Sequence, residues 1–436
     1  MELRIEEVAA AVKGEVVGPP ATVSGVAIDS RTVEDGQLFV PLVAERDGHD
    51  FVPAAVESGA SAYLTARGPL IDGATAVHVD DTMDALTRLG AAARDRLPDA
   101  VVGITGSVGK TSVKDLLAEV LRTTFRTTAS EKSFNNEIGV PLTLANAPAD
   151  AEVLVLEMGA RGIGHIRALC DVARPSVAVV TMVAEVHTSE YAGGIDDVAR
   201  AKGELVESIP VDGFVVLNGS DRRVRDMAHL TDARVLTYGV HGDVVAQRVD
   251  LDEHLRPRFR LASPWGTTDV QLGVHGVHQV GNALAAAAAG LVQGVPIDAV
   301  AEGLSHAALS PWRMELRHTD AGAVVINDAY NSNPTALEAA LHSLAAIDAD
   351  RHVAVLGVMA ELGHHSDQRH AEMGELADEL GIEVVTVDCP AYGVGVDVPT
   401  VEAAVEAVGQ LGPDDAVLVK ASRSAGLERV AALLHG

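Results

Sequence analysis

The sequence predicts an α/β fold of three domains, with a central P-loop parallel-sheet ATPase domain and a C-terminal Rossmann-like domain. Three observations carry that prediction. Runs of Val, Leu and Ile too continuous for a half-exposed strand alternate with helical patterns. Two breaks, at "LPDA" around Pro98 and at "LSPWRME" over Ser310 to Glu315, divide the 436 residues into pieces of domain size. A glycine loop joins a strand directly to a helix in "VVGITGSVGKTSVKDLLAEVL", Val101 to Leu121.

The first piece, 1–98, mixes short strands ("VSGVAI", "AVHVD") with helical stretches ("FVPAAVESGA", "MDALTRLGAAARDRL"). The second, 99–310, opens with the strand "AVVGIT" and continues through "AEVLVLEMGA", "PSVAVVTMV" and "FVVLN". Strands this apolar are buried on both faces, as in a parallel sheet covered by helices. The third, 311–436, repeats the rhythm in miniature. "AVVIND", "HVAVLG", "IEVVTVD" and "AVLVKAS" read as strands; "TALEAALHSLAAI", "HAEMGELADELG", "VEAAVEAVGQL" and "AGLERVAALL" read as helices.

Composition limits the partners. Net charge is −29, from 62 acidic and 33 basic residues, a field that repels nucleic acid and anionic membrane. An anionic nucleotide therefore needs a local pocket of backbone N–H groups, Lys or Arg, and metal. No apolar run reaches the ~18 residues of a membrane span, and the acidic N-terminus lacks a signal-peptide core. Cys170 and Cys389 stand too far apart in sequence to suggest a disulfide framework. A cytoplasmic protein is expected.

The loop departs from the strict phosphate-loop spacing. Counting back from Gly109, the first glycine should fall at position 104, which is Ile104; glycines stand at Gly103 and Gly106. The context is nevertheless that of a nucleotide site. Glycines let successive N–H groups turn toward phosphate oxygens, and the helix that follows adds its positive end. Gly106, Ser107, Gly109, Lys110, Thr111 and Ser112 are the candidate ATP contacts, with Lys110 on the outer phosphates and Thr111 on Mg²⁺. Glu157 ends the next buried strand, where a carboxylate could reach a metal at the phosphates. His187 follows another strand, and Lys202 lies on a helix beyond it. Taken singly, His187 reads as a loop histidine and Lys202 as a solvated lysine paired with Glu204 or Asp197.

Taken together, loop, Glu157, His187 and Lys202 are in an order that resembles the Mur ligases, ATP-dependent amide-forming enzymes of peptidoglycan synthesis. The resemblance runs through nearly the whole chain, and "GITGSVGKTS" is that family's form of the loop. It implies that Glu157, His187 and Lys202, the last converted by CO₂ to an N-carboxylated lysine, hold two Mg²⁺ ions with Thr111. "KSFNNEIGVPLTL" is similar to a stretch beside the family's active site and suggests Asn136. "GVHQVGNALAA" resembles an adenine-contacting segment, implying Asn282 with His278. "WRMEL" supplies Arg313 near the ATP; "INDAYNSNP" supplies Asp328 for the ribose and Asn331 near the base. "DSRTVEDGQLFVPLVAERDGHDF" resembles the part that grips the uridine end, implying Ser30 and Arg31.

"YNSNP", "MAELG" and "KASRS" further imply UDP-N-acetylmuramoyl-tripeptide as acceptor and D-Ala-D-Ala as amine, handled by a monomer. The chain departs from the family where Val358 replaces an acid and Ala421 a glycine, and "PLVAERDGHDF" is about a residue short. Other ligases of the superfamily, adding a single amino acid or glutamate to a folate, remain alternatives, as does a nucleotide-binding protein that has lost ligation. "GHHSDQRH" offers a separate reading, a zinc site at His364, His365 and His370.

Overall fold

The structure is a computed structural model that describes residues 2–184, 191 and 193–435. Every residue of Val101–Thr105, Val153–Glu157 and Val177–Val180 is buried, so these strands need cover on both faces. They form the middle of a six-stranded, all-parallel sheet. Its order is Arg234–Tyr238, Phe214–Asn218, Val177–Val180, Val101–Thr105, Val153–Glu157, Thr127–Ala129. From Val101–Thr105 the chain runs first to one edge of the sheet and back, then crosses to the other side. The reversal leaves a crevice at the carboxyl ends of the strands, where α/β sheets bind ligands.

Two helices close one face of this sheet. Lys110–Arg122 packs beside Gln279–Val292, whose residues Ala285 to Ala289 have no exposed surface. The alanine tract is therefore a spacer. A Cβ on Gly290 would come within 2.5 Å of the Val120 side chain, so small residues set how closely the helices approach. Sequence reading passed over a three-stranded antiparallel sheet, Val245–Leu251, Pro257–Ser263 and Gly266–Gln271. Its middle strand alternates buried Pro257, Phe259 and Leu261 with exposed Arg258 and Arg260, the period-2 signal of a half-exposed strand.

The third body is a six-stranded sheet in the order Glu315–His318, Val324–Asn327, Asp415–Lys420, Arg351–Leu356, Glu383–Val387, Val396–Val398; only the first pair is antiparallel. The last helix is Glu428–His435, shorter than expected, because Gly426 (φ +64°) turns the chain before it.

The first body has a five-stranded sheet, Glu15–Val17, Ala76–His78, Ala62–Thr65, Leu38–Phe39, Val26–Ala27. The expected single strand "VSGVAI" is broken. Thr22–Val23 pairs with Leu3–Arg4 in a separate two-stranded sheet, and Val26–Ala27 joins the five-stranded one. Gly25, at φ +128°, makes the break.

The break exposes the edge of Val26–Ala27 to a neighbour. Val26 N–H donates to Asn146 Oδ1 (2.8 Å) and Asn146 Nδ2 donates to Val26 C=O (2.9 Å), so one carboxamide completes the edge as a strand would. Asn146 ends the helix Gly139–Asn146, whose Leu142 and Ala145 belong to the core of the first body. Gly90 meets the same helix, where a Cβ would lie 2.6 Å from Pro141 Cα. Asn146→Ala leaves both Val26 groups unpaired and is expected to cost about 1–3 kcal/mol. A urea midpoint unchanged from the parent would contradict the clasp.

Candidate active site

The glycine loop is fixed by the strand beside it. Ser107 N–H donates to Met182 C=O (2.7 Å), Thr181 Oγ1 donates to Val108 C=O (2.6 Å), and Ala184 N–H donates to Ser107 Oγ (3.0 Å). Gly106 (φ +147°) has no room for a side chain, since a Cβ there would overlap Thr181 Oγ1 at 1.8 Å. Gly109 (φ +88°) starts the helix Lys110–Arg122, and its Cβ would lie 2.6 Å from Asn282 Oδ1. Asn282 is thus held against the loop. Lys110 folds back over it, donating to Gly106 C=O (2.8 Å) and more weakly to Ser107 C=O (3.4 Å). Burial lowers its pKa, opposed by the Glu157 charge and reinforced by Arg313.

Register brings Glu157 to this loop, because Glu157 pairs with Ile104 on the neighbouring strand. Its carboxylate, 1% exposed, accepts from Thr111 Oγ1 (2.7 Å) at one oxygen and from Asn135 Nδ2 (2.7 Å) at the other. Sequence reading had chosen Asn136. That residue turns away: its Oδ1 accepts from Ile138 N–H (3.2 Å) and Gly139 N–H (3.0 Å), in the turn that leads into the helix Gly139–Asn146. The quoted stretch held both asparagines, and nothing in it said which faces the carboxylate.

Sequence reading also missed Ser133, 3.3 Å from Thr111 Oγ1, and Lys114. Lys114 is buried and donates to Ser130 C=O and Lys132 C=O, both at 2.9 Å, pinning the segment that carries Ser133 and Asn135. Its one sequence signal was a lysine one helical turn after Lys110.

The third body adds Arg313. Its Nη2 donates to Thr111 Oγ1 (3.0 Å) and Ser133 Oγ (3.3 Å), and its guanidinium lies 4.1 Å from the centre of the Tyr330 ring. Asp328 Oδ1 accepts from Met314 N–H (3.0 Å), and Lys420 Nζ donates to Asp328 Oδ2 and to Asn331 C=O (2.9 Å). Between these groups and the loop lies a cleft of about 500 Å³. Ser112, Asn282, His278, Asp328 and Asn331 all line it. The Gln279 amide donates to His278 Nε2 (3.1 Å), while His278 Nδ1 is buried with no partner among the described residues. Burial lowers the pKa of that imidazole, which leaves it neutral.

Lys202, on the helix Ile195–Glu207, is 5% exposed. The reading as a solvated, paired lysine is overturned. Glu204 accepts instead from Arg167 N–H (3.0 Å) and from Gly164 N–H, and Asp197 from Gly193 N–H (2.8 Å) and Arg200. Burial, then the charge of Lys110, pulls the Lys202 pKa down to about 7. His187 lies outside the described residues. Ser30 and Arg31 do not line the cleft; they sit on the first body, where the Arg31 guanidinium holds the Asp29 carboxyl down to about 2.

The zinc reading fails on His370. Its Nε2 accepts from Met359 N–H (2.8 Å) and its Nδ1 faces Ser366 C=O (2.7 Å), while His364 and His365 are exposed. Among the described residues no three His, Cys, Asp or Glu gather as a metal site. No helix among them is long and apolar enough to cross a membrane.

The Mur ligase middle domain matches residues 104–290, and the Mur ligase glutamate ligase domain matches residues 312–423. A UDP-N-acetylmuramoyl-tripeptide–D-alanyl-D-alanine ligase of Mycobacterium tuberculosis is 38% identical, over 99% of this chain and 97% of its own. MurF from Acinetobacter baumannii superposes with a TM-score of 0.90 at 28% identity, over 100% and 99% of the two chains. MurF ligase from Thermotoga maritima, solved in complex with ADP, gives 0.83 at 27%, over 95% and 97%.

Gly106→Ala is expected to weaken ADP binding at least about tenfold, since the loop must shift to clear Thr181; calorimetric affinity equal to the parent would refute the fit. Lys202 supplies a second test. Between its folded pKa of about 7 and its higher unfolded value, only the unfolded chain holds the proton, so stability rises with pH across that window. In carbonate-free buffer, Lys202→Met should flatten that rise in urea titrations run at neutral and alkaline pH.

Proposed function

Because this chain belongs to the Mur ligase family, we propose that it is an ATP-dependent, ADP-forming ligase. It joins D-Ala-D-Ala to UDP-N-acetylmuramoyl-tripeptide in cytoplasmic peptidoglycan precursor synthesis, acting as a monomer. The observation that carries the reading is the meeting of Glu157, from the central sheet, and Arg313, from the third body, on the Thr111 hydroxyl of the loop. Residues 1–98 hold the uridine end through Ser30 and Arg31, 99–310 hold the ATP, and 311–436 bring the dipeptide.

A carboxylate is a poor electrophile because its oxygen is a poor leaving group. Attack of the acceptor carboxylate oxygen on the γ-phosphorus releases ADP and leaves an acyl phosphate. The dipeptide amine then attacks the acyl carbon, the tetrahedral intermediate expels phosphate, and the amine nitrogen loses a proton. Lys110 and Arg313 both line the cleft beside the loop, and each would turn from its present partner, the Gly106 carbonyl or the Thr111 hydroxyl, to the transferring phosphoryl group as it gathers charge. Asn282, close against Gly109 of the loop, and the neutral His278 offer polar groups toward the base. Closure of the third body on the central one keeps water from the acyl phosphate.

The donor set fits Mg²⁺. Thr111 and Glu157 present hard oxygens 2.7 Å apart. Burial and the Lys110 charge lower the Lys202 pKa to about 7, which raises the share of neutral amine that can add CO₂ and become an anionic ligand. Thr111, Glu157, His187 and N-carboxylated Lys202 would hold two such ions, which when bound neutralise charge on the phosphates. The two family departures in the third body lie in the scaffold. Ala421 is fully buried against Gly357 and Val358 packs on the third body's core; neither lines the cleft.

Phosphate release from ATP, with each of Mg²⁺, sugar nucleotide and dipeptide omitted in turn, tests the reading. Release that needs all three, with the dipeptide adduct found by mass, is expected. Release indifferent to the dipeptide would reassign the amine, and tight ATP binding without turnover would make the chain a nucleotide-binding protein. Lys202→Ala should lose about a hundredfold or more in turnover, with partial recovery in millimolar short-chain carboxylate. Full activity without rescue would remove the carbamate.

A further inference from the structure

Lys420 is 1% exposed at the carboxyl end of Asp415–Lys420. A buried ammonium is tolerated only when its protons are spent, and this one spends them on a single turn: Asp328 Oδ2, Asn331 C=O (2.9 Å) and, weakly, Asp328 C=O (3.5 Å). The other Asp328 oxygen takes Met314 N–H at the joint between the central and third bodies. Trp312 (φ +62°) and Met314 (φ +50°) are both left-handed without being glycine, so the joint adopts a backbone it would not choose alone. Arg313 stands between them and reaches Thr111. The same strand end also serves the loop after Arg351–Leu356: Ser422 N–H donates to Val358 C=O (2.9 Å), and Ala360 N–H to Ser422 Oγ (2.9 Å).

We propose that Lys420 is a positioning residue for the nucleotide: acting through Asp328, it fixes both the Asp328–Asn331 turn that faces the cleft and the joint that aims Arg313 at the phosphate loop. This rests on the ligase reading above for its kinetic readout, and on the cleft alone for its binding readout. Neutralising the lysine frees the Asp328 carboxylate to leave Met314, relaxes the left-handed joint and withdraws Arg313. The sugar-nucleotide site on the first body is untouched by any of these contacts.

The test compares Lys420→Met, Asp328→Asn and the double variant in the full-length chain. Lys420→Met is expected to raise the KM for ATP and the calorimetric Kd for ADP about tenfold, with the KM for the sugar nucleotide unchanged. The double variant should be no worse than Asp328→Asn alone, because both act on one carboxylate. Lys420→Arg, which keeps the charge, should recover part of the loss and takes the place of Lys420→Met if that variant does not fold. Equal rises in both KM values, or losses that multiply in the double variant, would overturn the proposal. If the parent binds ADP yet ligates nothing, the ligase reading falls while the ADP affinities still decide the role of Lys420.

Discussion

One hydroxyl, that of Thr111, is held by two bodies of the protein at once. Its proton goes to Glu157, at the end of a buried strand, and its oxygen accepts from Arg313, which arrives from the third body. Glu157 is at that height because parallel register aligns it with Ile104, one residue before the chain turns into the loop. Thr111 points there because Gly106 and Gly109 take backbone angles that other residues avoid. The second Glu157 oxygen is held by Asn135, from the segment that leads into the helix clasped to the first body by Asn146 and Val26. The central and third bodies therefore meet on the hydroxyl beside this carboxylate, and the first joins them through the helix that follows Asn135.

The chain's charge makes more sense from the inside. A surface with net charge −29 repels an anionic nucleotide, and the compensating cations are drawn inward. Lys110 covers the loop, Lys114 pins the segment beside it and Lys420 secures the Asp328 turn, each bound to backbone oxygens. Lys202 differs. It is buried, as Lys114 and Lys420 are, but no described residue accepts a hydrogen bond from its ammonium, and burial brings its pKa to about 7. An amine with no such acceptor among the described residues stands apart from the other three, whose ammonium groups hold backbone oxygens.

Local sequence was enough for much of this. Unbroken Val and Leu runs require a sheet covered on both faces, glycines beside a Lys-Thr pair at a strand–helix junction require a phosphate loop, and a carboxylate ending a buried strand must appear at the sheet's carboxyl edge. Those are short-range consequences of backbone geometry and burial, and they bring Lys110, Thr111 and Glu157 to one cleft. What the tertiary structure decided is which groups meet across long stretches of chain. It chose Asn135 over Asn136, because two adjacent side chains point opposite ways and only packing says which is inward. It spent Glu204 on a helix end, leaving Lys202 without that partner, spent His370 on the Met359 backbone, and made the alanine tract a spacer against Lys110–Arg122. Periodicity reports which face of an element is buried; it carries no information on which neighbour, a hundred residues away, will supply the missing hydrogen bond.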